Sequence, residues 1–118
     1  MIHEEKKVAK IVEELTIFFF AIGADQMKSG IERDGNHVTI TFEANYLPEY
    51  ESRIRSFEKY MNEPKNEGIE DFYWELAGSG DPGETSQLLL IGMMIDKGEI
   101  EYLDSYVKLK MYKELQVL

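Results

Sequence analysis

Residues 37–44 alternate apolar and polar side chains, with Val38, Ile40 and Phe42 set against Thr39, Thr41 and Glu43. Successive side chains of a strand point to opposite faces, so this segment has one dry face and one wet face. The same pattern returns near the C-terminus. Val107, Leu109 and Met111 alternate with Lys108 and Lys110, and Ile100 and Tyr102 alternate with Glu99 and Glu101. Strands of this kind belong to an antiparallel sheet that is packed on one side and solvated on the other. Helices must then supply the cover for the dry side.

The rest of the chain provides those helices. Over residues 4–22, Val8, Ile11, Val12, Leu15, Phe18, Phe19 and Ile22 fall on one stripe at about 100° per residue, and Gly23 stops the run. Ile17 and Phe20 lie roughly opposite that stripe. Two readings are open for them: cover by other elements on both sides of the helix end, or an oligomer contact. Residues 26–33 pair with 37–44 as a hairpin around Asp34-Gly35-Asn36, where glycine accepts positive φ without a steric penalty. The first of these strands alternates poorly and contains Gly30, which suits a sheet edge or a bulge.

A second helix is expected from Asn45 to Asn62. Pro48 sits in its first turn, Tyr50, Ile54, Phe57 and Met61 form its stripe, and Pro64 ends the segment. A short third helix over 67–77 carries Ile69, Phe72, Tyr73 and Leu76 on one face. Trp74 lies off that face, either packed under a loop or free to stack on a ligand or partner. After the loop Gly78-Ser79-Gly80-Asp81-Pro82-Gly83, Asp81 caps a fourth helix. The apolar run Leu88–Ile95 reads as the buried part of that helix, with Lys97-Gly98 as its stop. Asp104-Ser105 turns the closing hairpin, and the tail from Glu114 has no evident partner. The expected architecture is α+β: one domain over 1–118, a two-layer sandwich with a mostly antiparallel sheet, helices on one face, and the order α-ββ-α-α-α-ββ.

Charge and composition exclude several functions. The chain has 118 residues, 13 basic and 23 acidic, for a net charge of −10. The acid concentrates in residues 42–104, with 5 basic and 15 acidic side chains. Such a surface repels phosphate backbones, so nucleic-acid binding is not expected. The cluster Lys108, Lys110 and Lys113 reads as the wet face of a strand. There are no cysteines, which removes disulfides, thiolate zinc sites and cysteine nucleophiles. The two histidines, His3 and His37, have no partner at ligand spacing, so no metal site is expected. Apolar runs reach only about eight residues, far short of the ~20 that span a bilayer. The N-terminus carries both charge signs and no cleavage pattern. A cytoplasmic, membrane-free protein is the expectation.

Catalytic motifs are sparse. The adjacent carboxylate pairs Glu4/Glu5, Glu13/Glu14 and Glu70/Asp71 do not converge on a point when placed on helices. The loop 78–83 spells G-x-G-x-x-G, but a helix precedes it, whereas the dinucleotide motif needs a strand there. Gly78, Ser79, Gly80 and Gly83 could still approach an anion at a helix N-terminus; capping and turn geometry account for the same residues.

Taken together, the order of elements resembles the GHKL (Bergerat-fold) ATP-binding superfamily of histidine kinases and related regulators. The helix carrying Glu14-Leu15-Thr16-Ile17-Phe18 is similar to the family's Glu-x-x-x-Asn helix, the hairpin Met27–Glu43 follows it, and the 78–83 loop stands where the family has its glycine-rich segment. The resemblance implies that Glu14 is the remnant of the base. It also implies that Phe18 replaces the magnesium-binding Asn, and that Glu43-Ala44-Asn45-Tyr46-Leu47-Pro48 replaces the adenine-binding Asp-x-Gly-x-Gly. The implied function is a non-catalytic regulatory or protein-interaction domain, self-associating or binding a protein partner through Ile17, Phe20 and Trp74, with no cofactor. The alternative it leaves is a nucleotide-binding module or weak kinase-like ATPase that uses Mg-ATP.

Overall fold

The computed structural model describes residues 2–61 and 91–116. Helix α1 spans Ile2–Ala21, and strands β1 (Met27–Asp34) and β2 (His37–Asn45) form the first hairpin. A single 3-10 turn, Pro48–Tyr50, leads into α2 (Glu51–Met61). Residues 91–94 are helical, and β3 (Lys97–Leu103) and β4 (Tyr106–Glu114) close the sheet. The expected third helix, the 78–83 loop and the start of the fourth helix lie outside the described residues.

The sheet has the order β1-β2-β4-β3, and every neighbouring pair is antiparallel. β2 and β4 occupy the centre and pair along their whole length, from His37 with Glu114 to Asn45 with Tyr106. Since β2 and β3 both run antiparallel to β4, they run parallel to each other, and the chain crosses from one to the other through α2. The dry face carries Val38, Ile40, Phe42 and Ala44 from β2 and Val107, Leu109 and Met111 from β4, all buried. Against it pack the α1 stripe and the α2 residues Ile54, Phe57 and Met61. Phe19 of α1 stacks on Phe42 at 5.4 Å between ring centroids, and Phe18 meets Phe19 edge-on at 5.2 Å. Such pairs add to the area term that dominates helix-on-sheet packing.

Gly23 ends α1 for two physical reasons. Its φ is +92°, while Ala24 N–H donates to Phe19 O and Gly23 N–H to Phe20 O, the bonding pattern of a Schellman cap. A Cβ at this position would also lie 2.6 Å from Leu47 Cγ. Leu47 N–H in turn donates to Ile22 O, so the end of α1 is bonded to the exit of β2.

Three local expectations are corrected. The second helix does not begin at Asn45. Asn45 is the last residue of β2, its Oδ1 accepts the backbone N–H groups of Asp25 and Gln26, and Tyr46 N–H bonds Ser105 O. Leu47 is extended at φ −74°, ψ 129°, as the residue before a proline must be, and helical geometry starts only at Pro48. Lys97-Gly98 is not a helix stop but the start of β3; a Cβ at Gly98 would stand 2.5 Å from Met61 Sδ, so a larger residue there needs the Met61 side chain to shift. The tail is not unpartnered either. Glu114 pairs with His37, Leu115 N–H donates to Asn36 O, and Leu115 is buried.

Phe42 is fully buried at the centre of the β2–α1 contact, so Phe42→Ala is expected to remove about 3–5 kcal/mol of stability. Urea unfolding of the two proteins measures this, and a loss below about 1 kcal/mol would contradict the packing described.

Candidate functional site

The sequence-selected residues do not converge on one site. Glu14 lies on the flank of α1, buried, with Lys10 Nζ 2.7 Å from its Oε1. Its Oε2 is buried with no hydrogen-bond partner among the described residues. The bond to Glu14 pushes the Lys10 ammonium up from its ordinary pKa, so Lys10 stays charged at neutral pH. Ile17 and Phe20 face outward, 45% and 63% exposed. Among the described residues no element covers them from a second side. Trp74, Gly78, Ser79, Gly80 and Gly83 lie outside the described residues. Phe18 is a core residue.

Two polar clusters tie the layers together; of them only the Glu51–Arg55 pair, at i,i+4 helical spacing, is legible in the sequence. In the first, Lys113 reaches from the dry face of β4 to the end of the sheet. Its Nζ donates to Met94 O at 2.8 Å and lies 3.8 Å from Glu4 Oε1. Lys7 Nζ lies 3.4 Å from Glu4 Oε2, and Glu4 Oε1 accepts Gln116 N–H at 3.1 Å. Lys113 is therefore buried, contrary to its expected place on the wet face with Lys108 and Lys110. The parity of the strand carried the signal, since Lys113 follows Val107, Leu109 and Met111 in steps of two. Burial pushes the Glu4 carboxyl up, but the Gln116 N–H and the Lys113 and Lys7 ammoniums outweigh it and hold the carboxyl below the usual range.

The second cluster binds α2 to the sheet. Tyr46 O–H donates to Glu51 Oε1 at 2.7 Å, Glu51 Oε2 accepts Arg55 Nε at 2.9 Å, and the Arg55 guanidinium stacks 4.1 Å over the Tyr102 ring. Tyr102 O–H completes the chain to Glu58 at 3.3 Å. Burial and the adjacent carboxylate push the Tyr46 phenol up to about 12, and burial with Glu58 does the same in direction for Tyr102. These groups satisfy one another, which is the arrangement of a clamp and not of a reactive centre.

The sheet face away from α1 and α2 is the third feature. One row across it alternates in charge: Lys28, Glu43, Lys108 and Glu101 stand side by side on β1, β2, β4 and β3. Opposite charges directly across strands each stabilise by roughly 0.2–1 kcal/mol. Glu43 also accepts Tyr106 O–H at 2.8 Å. A shallow trough of about 280 Å³ runs between β2, β4 and β3, walled by Glu43, Glu99, Glu101, Lys108 and Lys110. Among the described residues no group of three His, Cys, Asp or Glu side chains could hold a metal ion, and no helix is long and apolar enough to cross a membrane.

No family model, no curated protein and no solved structure matches the chain.

The Glu4 carboxyl is depressed in the folded state, so its contribution is present above the unfolded carboxylate pKa and is lost as pH falls through that range and below. Glu4→Gln is expected to cost about 1–3 kcal/mol at pH 7 and progressively less in acid. Chemical denaturation of both proteins between neutral and acid pH tests the sign; a gap that does not narrow in acid refutes it.

Proposed function

We propose that this chain is a cytoplasmic, non-catalytic regulatory or protein-interaction domain built on a degenerate ATP-binding-like fold of the GHKL kind. The observation that carries the reading is Phe18. A residue that would have to present an oxygen to a magnesium ion is instead an aromatic ring buried in the core, edge-on to Phe19. Two further observations support it. Glu14 is held by Lys10, and Glu43, the acid nearest the family's adenine-binding position, belongs to the open face of the sheet, on the side away from α1. A base, a metal ligand and an adenine acid must face one cavity to act together. Here the three positions hold an ion-paired carboxylate, a core aromatic and a residue on the opposite face.

Surfaces remain for the interaction half of the proposal. Ile17 and Phe20 form a small apolar pair on the outer side of α1, and no described element covers them. Removing such side chains from water on binding a protein is favourable by roughly 25 cal/mol per Å². One observation favours the second reading, a nucleotide-binding module or weak kinase-like ATPase. The unpartnered Glu14 Oε2 stands where the family keeps its base, and Gly78, Ser79, Gly80 and Gly83 would approach the phosphates.

A thermal-shift series with ATP, ADP and Mg²⁺ separates the two. A ligand present at about 100 times its dissociation constant stabilises the native state by about 2.7 kcal/mol, which moves the midpoint visibly. The expected outcome is no shift at millimolar nucleotide. A saturable, Mg²⁺-dependent rise refutes the non-catalytic reading and establishes the second.

A further inference from the structure

We propose that the free edge of β1 is a homodimer interface, at which two copies pair antiparallel about Ile31 to join their sheets. The proposal rests on the interaction reading above, since it names the partner as a second copy of this chain. Among the described residues β1 bonds only β2, which leaves its outer edge of N–H and C=O groups open to them over Met27–Asp34. Such an edge is a template for another strand unless it is blocked. No proline lies in β1, and residues 31–34 are all exposed although Glu5 of α1 reaches Arg33 at 3.2 Å; Ile31 is 52% exposed on the dry side.

The charges select the occupant. Residues paired across an antiparallel ladder share a face, so two copies with their helices on the same side must pair odd residues with odd and even with even. Centring the two-fold on Ile31 sets each Ile31 against the other and each Lys28 against Asp34 of the second copy. The apolar strip at Ile31, continuous with Val8, Val38 and Leu115, is then extended across the axis. On the open face, the charge alternation that runs from Glu101 through Lys108 and Glu43 to Lys28 gains its next acid, Asp34 of the second copy. Lys28 and Asp34 take part in no ion pair among the described residues.

The other edge gives the contrasting case. β3 presents Glu99 and Glu101 at its two central open-face positions. Registers centred on Glu99, Ile100 or Glu101 set glutamate opposite glutamate, and like charges directly opposite are destabilising. The Ile31 register of β1 sets no like charges directly opposite: Lys28 meets Asp34 and Glu32 meets Gly30.

Sedimentation over about 1 µM to about 1 mM covers the range in which a small edge-to-edge interface dissociates. A monomer–dimer equilibrium is expected. Lys28→Asp sets two pairs of carboxylates opposite each other and is expected to raise the dissociation constant about tenfold or more. Adding Asp34→Lys restores opposite signs and is expected to recover most of that loss, which a merely destabilised monomer would not do. Circular dichroism confirms that each variant is folded. Because the chain has no cysteine, Ile31→Cys supplies a single thiol at the axis, and mild oxidation is expected to give a covalent dimer faster than Glu101→Cys on the other edge. This second measurement decides the matter if the charge variants do not fold. A monomer throughout the range, a dimer indifferent to Lys28→Asp, or equal cross-linking at both edges overturns the proposal. None of these outcomes bears on the nucleotide series, so the two readings fail separately.

Discussion

The structure depends on the pairing of β2 with β4. These two strands are the centre of the sheet, and both alternate without interruption between dry and wet side chains. Register fixes which residues share a face, so a slip by one position would expose Phe42 and Leu109 and bury Glu43 and Lys108. The cover of α1 and α2 follows from the dry face that this register creates. The charge rows of the open face follow from the same register, read from the other side.

At the two ends of β2 polar groups come in connected sets. Lys113 continues the dry parity of β4 to the point where the sheet ends, and there it meets a carbonyl of the 91–94 turn and the carboxylate of Glu4. A buried ammonium without these partners would be strongly unfavourable. The set therefore also specifies how the N-terminus of α1, the last strand and the 91–94 turn come together. Tyr46, Glu51, Arg55 and Tyr102 serve the same purpose at the opposite end of β2.

Much of this was legible in the residue pattern, for reasons that are physical. The α1 stripe, the Gly35 and Asp104 turns, the edge position of β1 and the one-sided sheet all follow from periodicity and from local conformational limits. The errors have physical reasons too. Lys113 was grouped with Lys108 and Lys110 by proximity, although strand parity places it with Met111. Asn45–Leu47 suited a helix by composition, but Pro48 forces the residue before it out of helical geometry. Gly98 resembled a cap because the Met61 side chain that packs against it comes from a distant part of the chain. The site was less legible than the fold. Glu14, Phe18 and Glu43 are close in a motif comparison, yet strand alternation and helical phase send them to a flank, a core and an open face.

The central pairing also orders events in time. Tyr106 and Glu43, which meet across β2 and β4, are 63 residues apart in the chain. The β1–β2 hairpin can form early, but a lone hairpin is marginal in water. The inner edge of β2 stays empty until β4 has been synthesised. Closing so long a loop before the sheet yields any stabilisation slows folding. During that interval β2 offers a second unpaired edge beside its exposed apolar face, and the nascent chain is then most open to mispairing.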